Sequence, residues 1–309
     1  MSPLTMLAAV FTPGTPKPTI SMESIAVPIP SRNEVLLKGE VVDVGEDVSK
    51  EYYSDGSIWA VHGPNACGHC GQCRRGHDNR CVGNRLQFGL GRGGGYAEYI
   101  AVPASSLVKI PEGVPVEIAA VVTDAVLTPY HALKTLGNVR ASDRVLVIGL
   151  GGLGLNGIQV AKSLGGFVVG ADINTSKFDL AKQLGVDQCI DSTDQKAMDA
   201  LGGFDVVVDF VGINATFQLG IKMLKSGGRH ISVGLSGKEF SFNSKALLIQ
   251  EGSFQVAYWG TSWELREVLD LVAAGKIKPQ VEVKPLSEVI QCLEALREGK
   301  VLARQVVVP

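Results

Sequence analysis

The chain has 309 residues, 45% of them hydrophobic and 19% charged, with a formal net charge of −2. That length fits one large or two ordinary domains, and the composition excludes a disordered chain. No basic run or aromatic–basic interleaving occurs, which argues against a nucleic-acid partner.

The N-terminus, MSPLTMLAAVF, has no positive n-region and only a short apolar run before Pro13, so no signal peptide is expected. No uninterrupted apolar run reaches about 18 residues, so no membrane partner is expected and the chain reads as cytoplasmic. Up to about residue 120, runs such as EVLLKGEVVDVG and YAEYIAVPASSLVKIP predict short strands of a barrel or sandwich.

Four of the six cysteines fall inside this region, in CGHCGQCRRGHDNRC. Cys67, Cys70, Cys73 and Cys81 are spaced C-x2-C-x2-C-x7-C. Clustered cysteines in a cytoplasmic chain point to a metal rather than to disulfides. Four thiolates complete a tetrahedral Zn²⁺ shell and leave no open position, so the spacing predicts one structural zinc per chain. An iron–sulfur cluster is the rival, with different usual spacings. Arg74, Arg75 and Arg80 either offset thiolate charge or form a solvated face. His69 and His77 are expected to be exposed, because four sulfurs suffice. Cys189 and Cys292 stand alone at apolar positions and read as core.

From Thr128 to Ala274, apolar strand patterns alternate with helical ones. DRVLVIG, FVVGAD, FDVVVDF and RHISVGL read as strands; LGLNGIQVAKSLG, TSKFDLAKQLG and NATFQLGIKMLKSGG read as helices. Such alternation predicts a doubly wound parallel sheet. Between the first strand and helix, Gly149, Gly151 and Gly154 form G-x-G-x-x-G, with Gly152 inside the turn. The three glycines serve a tight turn, backbone approach to a pyrophosphate, and close helix–strand packing. The helix N-terminus then faces the phosphates. Asp172 ends the next strand, 18 residues after Gly154. An acid there accepts from the adenosine ribose 2′-OH and repels a 2′-phosphate, so NAD(H) is the expected cofactor. Lys177, five residues on, would soften that preference. The texture then returns to short strands, one helix (LSEVIQCLEALREG) and a last strand, ARQVVVP, which is expected to rejoin the first domain.

Together these features resemble the zinc-containing alcohol dehydrogenases of the medium-chain dehydrogenase/reductase family. The carriers are the four-cysteine lobe, GGGYAEYIAVPASSLVKIPEG, TDAVLTPYHALK, and GLGGLG followed by Asp172. The resemblance implies an α/β chain: a Rossmann doubly wound sheet plus a shortened GroES-like β-barrel catalytic domain carrying a structural zinc lobe. The expected domains are 1–125 (catalytic, zinc lobe at 67–81), 126–275 (NAD-binding) and 276–309 (return). It implies a small alcohol or carbonyl substrate and a homodimer or homotetramer. It also places Thr128 near the nicotinamide ring, Arg304 near the pyrophosphate, and Val211 and Val233 on the strand ends flanking the nicotinamide.

The resemblance breaks at one point. The family holds a second, catalytic zinc through a cysteine near a relay hydroxyl, a Gly-His-Glu motif, and a Cys or Asp before the nucleotide domain. Asp124, 25 residues before Gly149, matches the third ligand. The other two belong to a segment of about thirty residues that should lie between EVLLK and GEVVDVG, yet Lys38 runs straight into Gly39. Asp124 is thus a remnant ligand, and a catalytic zinc needs about three. Zinc lowers the pKa of bound water from about 15.7 to about 7, on the order of 12 kcal/mol that no single hydrogen bond replaces.

Three readings stay open: an oxidoreductase with a zinc-independent site, a redox-inactive NAD-binding protein, and a shortened product of a full enzyme. His62 is the candidate general acid, set against a histidine hydrogen-bonded within a strand. His131 and His230 read as packing. Tyr258, Trp259 and Trp263 either line an apolar pocket or belong to a core or dimer interface.

Overall fold

The computed structural model describes residues 4–14, 18–54, 56–84 and 86–309, the Ala246 side chain excepted. They divide into two compact units. One takes the chain up to Thr123 with Thr261–Leu269 and Gln280–Pro309; the other takes Asp124–Gly260 and Asp270–Pro279.

The first unit is built from short pairs. Strands β1 (Thr5–Thr12) and β2 (Thr19–Ala26) run antiparallel. β3 (Glu34–Lys38) and β4 (Glu40–Val44) also pair antiparallel, with Lys38 opposite Glu40. Only Gly39 lies between them, at φ +72°, a conformation that glycine adopts at little cost. The junction that the resemblance marks as a gap is therefore a closed hairpin. Then come β5 (Trp59–Val61), β6 (Gln87–Phe88), β7 (Gly91–Arg92), β8 (Ile100–Pro103) and β9 (Leu107–Lys109). β8 lies on the other side of β3, and β9 pairs with β5. Alternate residues turn inward, and Val35, Leu37, Val41, Trp59, Val102 and Leu107 share one core.

A continuous helical run follows: α1 (Val116–Val121), a π turn (Val122–Val126), α2 (Leu127–Tyr130) and a second π turn (His131–Leu136). By length and composition these 21 residues could cross a membrane, although Glu117, Asp124, His131 and Lys134 interrupt the apolar run. Of their most apolar window, 67% is buried inside the protein, as in a core helix.

The second unit alternates β10 (Arg144–Ile148), α3 (Gly152–Ser163), β11 (Phe167–Asp172), α4 (Phe178–Gln183), β12 (Gln188–Asp191), α5 (Gln195–Ala200) and β13 (Phe204–Asp209). It continues with α6 (Asn214–Lys222), β14 (Leu224–Ser232), α7 (Ser244–Gln250) and β15 (Ser253–Val256). All six strands are parallel, in the order β12-β11-β10-β13-β14-β15. The unbroken apolar runs in β10 and β13 fit strands covered on both faces. Leu146, Ile148, Val169, Val207 and Phe217 form its core. One expected boundary shifts. The helix predicted through Gly228 stops at Lys222, and Leu224 already pairs with Phe204, because both side chains are buried there.

Helix α8 (Ser262–Ala273) begins in the first unit, although the sequence expectation put it in the nucleotide domain. β16 (Val281–Pro285), α9 (Val289–Arg297) and β17 (Arg304–Val308) complete the first unit. β16 and β17 pair in parallel, and α1 packs against both.

Candidate functional site

The strand order of the second unit reverses between β10 and β13, and ligands of open α/β sheets bind beyond the strand ends at such a point. The glycine turn sits there. Gly149 has φ +89°, and a Cβ on it would meet Val211 Cγ2 at 2.6 Å. A Cβ on Gly154 would lie 1.8 Å from the Gly149 carbonyl oxygen, so only glycine lets α3 pack against β10. A Cβ on Gly151 would meet nothing within 4 Å. Gly151 thus faces open space, which suits the approach of a pyrophosphate. Gly152 opens α3, whose first backbone N–H groups have no helical partner and bind anions well.

Asp172 joins this turn. Its Oδ2 accepts from the Leu150 amide (2.7 Å) and from Lys177 Nζ (2.9 Å), and its Oδ1 accepts from the Asn174 amide (2.8 Å). A carboxylate has about four lone-pair sites, so Oδ1 retains one for a ribose hydroxyl. Lys177 offsets part of the charge that would repel a 2′-phosphate.

The far wall rests on Asp209, which the sequence reading did not single out. It is fully buried at the end of β13. Its carboxylate accepts from the amides of Val211 (2.8 Å) and Gly212 (3.0 Å) and from the Thr216 hydroxyl (2.7 Å). Its carbonyl accepts from the amides of Val233 and Gly234. Burial pushes its pKa up, against the pull of those hydrogen bonds. One acid therefore shapes both strand ends carrying Val211 and Val233. The signal available in sequence was an acid closing an apolar strand, FDVVVDFVG.

Asp124 lies in the first π turn, a distortion frequent at functional sites. Its Oδ1 accepts from the Thr128 hydroxyl at 2.9 Å, and Thr128 is buried. His131 is buried on the same run. His230 is fully buried in β14. Neither of its ring nitrogens has a hydrogen-bond partner, and its ring meets Phe217 edge-on. Desolvation lowers its pKa to about 4. Tyr258 is exposed, and Trp259 has a left-handed φ of +51°.

In the first unit the four cysteines converge. Their sulfurs all lie within 4.8 Å of one another, with Cys70 Sγ 3.5 Å from Cys73 Sγ and 3.9 Å from Cys81 Sγ. Four sulfurs about 2.3 Å from a tetrahedral zinc stand about 3.8 Å apart, so the quartet fits that ion. Backbone N–H groups of Cys67 and Asn84 point at Cys81 Sγ, and that of Cys70 points at Cys67 Sγ. Such donors favour thiolates. No cysteine pairs in a disulfide. His69 is exposed and His77 half-buried, neither in the quartet, and Arg74, Arg75 and Arg80 are exposed. Cys189 and Cys292, expected in the core, are only half-buried.

His62, just after β5, is buried, and its amide donates to the Ser106 carbonyl at 2.8 Å. Arg304 opens β17 opposite Val281. Trp263 is exposed on α8. Among the described residues, no second group of three or more His, Cys, Asp or Glu donors is placed to hold a metal.

Comparison with known proteins agrees with both halves. Residues 20–112 match the Alcohol dehydrogenase GroES-like domain, and residues 152–274 match Zinc-binding dehydrogenase. An alcohol dehydrogenase of Geobacillus stearothermophilus is 34% identical over 273 residues, covering 86% of this chain and 79% of the relative. The acetophenone reductase of Geotrichum candidum, solved with NAD, superposes with a TM-score of 0.92 at 36% identity, over 100% of this chain and 98% of that one. The alcohol dehydrogenase of Aeropyrum pernix gives a TM-score of 0.89 at 27% identity, over 98% and 100%. The chain therefore belongs to the zinc-containing alcohol dehydrogenases of the medium-chain dehydrogenase/reductase family.

Proposed function

We propose that this chain binds NAD(H) in its second unit and passes a hydride between the nicotinamide C4 and the carbon of a small alcohol, aldehyde or ketone. The observation that carries this reading is the glycine turn at the reversal of the sheet, open at Gly151 and tied through Leu150 to Asp172. Bound, the cofactor supplies or accepts the hydride. The chain's own residues do the rest. The α3 N-terminus and Gly151 seat the pyrophosphate, Asp172 takes a ribose hydroxyl, and Asp209 holds Val211 and Val233 in place. Asp124 orients the Thr128 hydroxyl. His62 is the proton donor to the substrate oxygen.

The cysteine quartet holds a zinc that cross-links its loop. Among the described residues no second group of three or more His, Cys, Asp or Glu donors is placed to hold a metal, which supports a site that works without a catalytic zinc. That same observation favours a second reading, an NAD(H)-binding protein without turnover. We also read the chain as a homo-oligomer. β15 is a sheet edge with every residue exposed, without Pro or Lys to block it, and Phe254 and Val256 sit on it.

Zinc content and NADH turnover test the reading together. One zinc per chain, with carbonyl reduction that survives chelation, is expected. Two zinc ions per chain would refute the incomplete site. NADH binding with no turnover across a broad carbonyl panel would select the second reading.

A further inference from the structure

The cysteine knot and α8 are joined by one side chain. Asp78 lies between Cys73 and Cys81, and its carbonyl accepts the Cys81 amide at 3.1 Å. Its carboxylate accepts the Ser262 amide through both oxygens, at 3.1 and 3.3 Å, and the Ser262 hydroxyl through Oδ2. Ser262 is the first residue of α8. Its N–H is one of the four that a helix cannot satisfy internally, and an anion there also meets the positive end of the helix dipole. The next residue back, Thr261, forms a capping box with Glu264. The Thr261 amide donates to Glu264 Oε2 (2.8 Å), and the Glu264 amide donates to Thr261 Oγ1 (3.1 Å). The start of α8 is thus held by its own box and by an acid 184 residues away in sequence.

Just before α8 the chain is strained. Trp259 is left-handed at φ +51°, a conformation that a bulky residue keeps only where the surroundings enforce it. The segment is tied on one side by the Ala257 amide to the Ser232 carbonyl (2.9 Å) and on the other by Ser262 to Asp78.

We infer that Asp78 is a positioning residue that transmits the order of the zinc knot to the start of α8 and to the Trp259 turn before it. Zinc at the quartet sets Cys81, Cys81 sets the Asp78 backbone, and the Asp78 carboxylate caps Ser262. The knot then acts on more than its own loop. The consequence for substrate rests on the proposed function and on the reading of Tyr258 and Trp259 as lining its apolar pocket: both sit on the tethered turn, so loosening it raises KM for carbonyl substrates more than it lowers kcat.

The test is amide hydrogen exchange of the full zinc-loaded protein, read on peptides spanning 257–266. Asp78→Ala is expected to keep one zinc per chain while exchange there rises about tenfold, the size of losing a helix cap. Asp78→Asn, which keeps one acceptor, recovers part of the protection. Stripping zinc from the unmodified protein raises exchange to the Asp78→Ala level, and stripping the variant adds nothing at 257–266. Unchanged exchange in Asp78→Ala with zinc bound, or in the stripped protein, overturns the proposal. If Asp78→Ala does not fold, Ser262→Ala removes the hydroxyl bond alone; a smaller rise supports the link and none refutes it. A protein that never binds NADH would sink the proposed function and leave this measurement standing.

Discussion

The glycine turn and the cysteine knot are both short glycine-containing loops, held by opposite means. The turn is surrounded by core: Val147, Ile148 and Leu150 are all essentially buried, and the backbone of Gly154 touches that of Gly149 more closely than any Cβ permits. The knot has little core. Among its four cysteines only Cys81 is buried, and Arg74, Arg75 and Arg80 are exposed around them. Steric necessity fixes the first loop, and coordination chemistry fixes the second. Where apolar burial is scarce, a metal does the ordering.

The contrast can be broken at its strongest point first. Cys73→Ser, or zinc removal, takes away a contribution that in small zinc domains reaches about 10 kcal/mol. We expect zinc content to fall to zero and the knot to lose protection from proteolysis, while the NADH affinity of the second unit changes little. Loss of NADH binding in step with zinc would show that the two loops are not independent.

Within the turn, the glycines are predicted to differ. Gly154→Ala forces a Cβ against a backbone oxygen, and about 3 kcal/mol or more of stability should go, read by urea unfolding. Gly151→Ala, at a non-left-handed φ of −86° with open space beside it, should change stability by less than about 1 kcal/mol. Its NADH affinity should fall nonetheless. Equal destabilisation by the two would refute the division of roles.

In acid the buried His230 ring lowers stability. His230 titrates at about 4 in the folded protein, against an ordinary value near 6.5. Between those values the unfolded chain takes up a proton that the folded one refuses, so stability falls as pH drops through that window and levels off below it. The slope is about 1.4 kcal/mol per pH unit, about 3 kcal/mol in all. His230→Phe should flatten this part of the pH–stability curve; an unchanged slope would exclude His230 as its origin.

Much of this was legible in the chain itself. Cysteine spacing is local, so the quartet could be read without a fold. G-x-G-x-x-G carries its meaning in a strand–turn–helix context that hydrophobic periodicity supplies. Asp209 and Asp78 were not legible, because an acid is informative only once its partners are known, and those of Asp78 lie 184 residues away. The β14 boundary was missed for a related reason: LKSGG has no strand signature until Leu224 finds Phe204.

The family, the cysteine quartet and the nucleotide turn could be read from the chain alone, since each is a matter of which residue stands at which spacing. Tertiary structure alone decided what those features touch. It closed the Lys38–Gly39 junction into a hairpin, turned Asp124 toward the Thr128 hydroxyl, and joined the knot to α8 through Asp78. Spacing along a chain sets chemistry that a few neighbouring residues complete, whereas long-range hydrogen bonds exist only after packing has brought distant segments together.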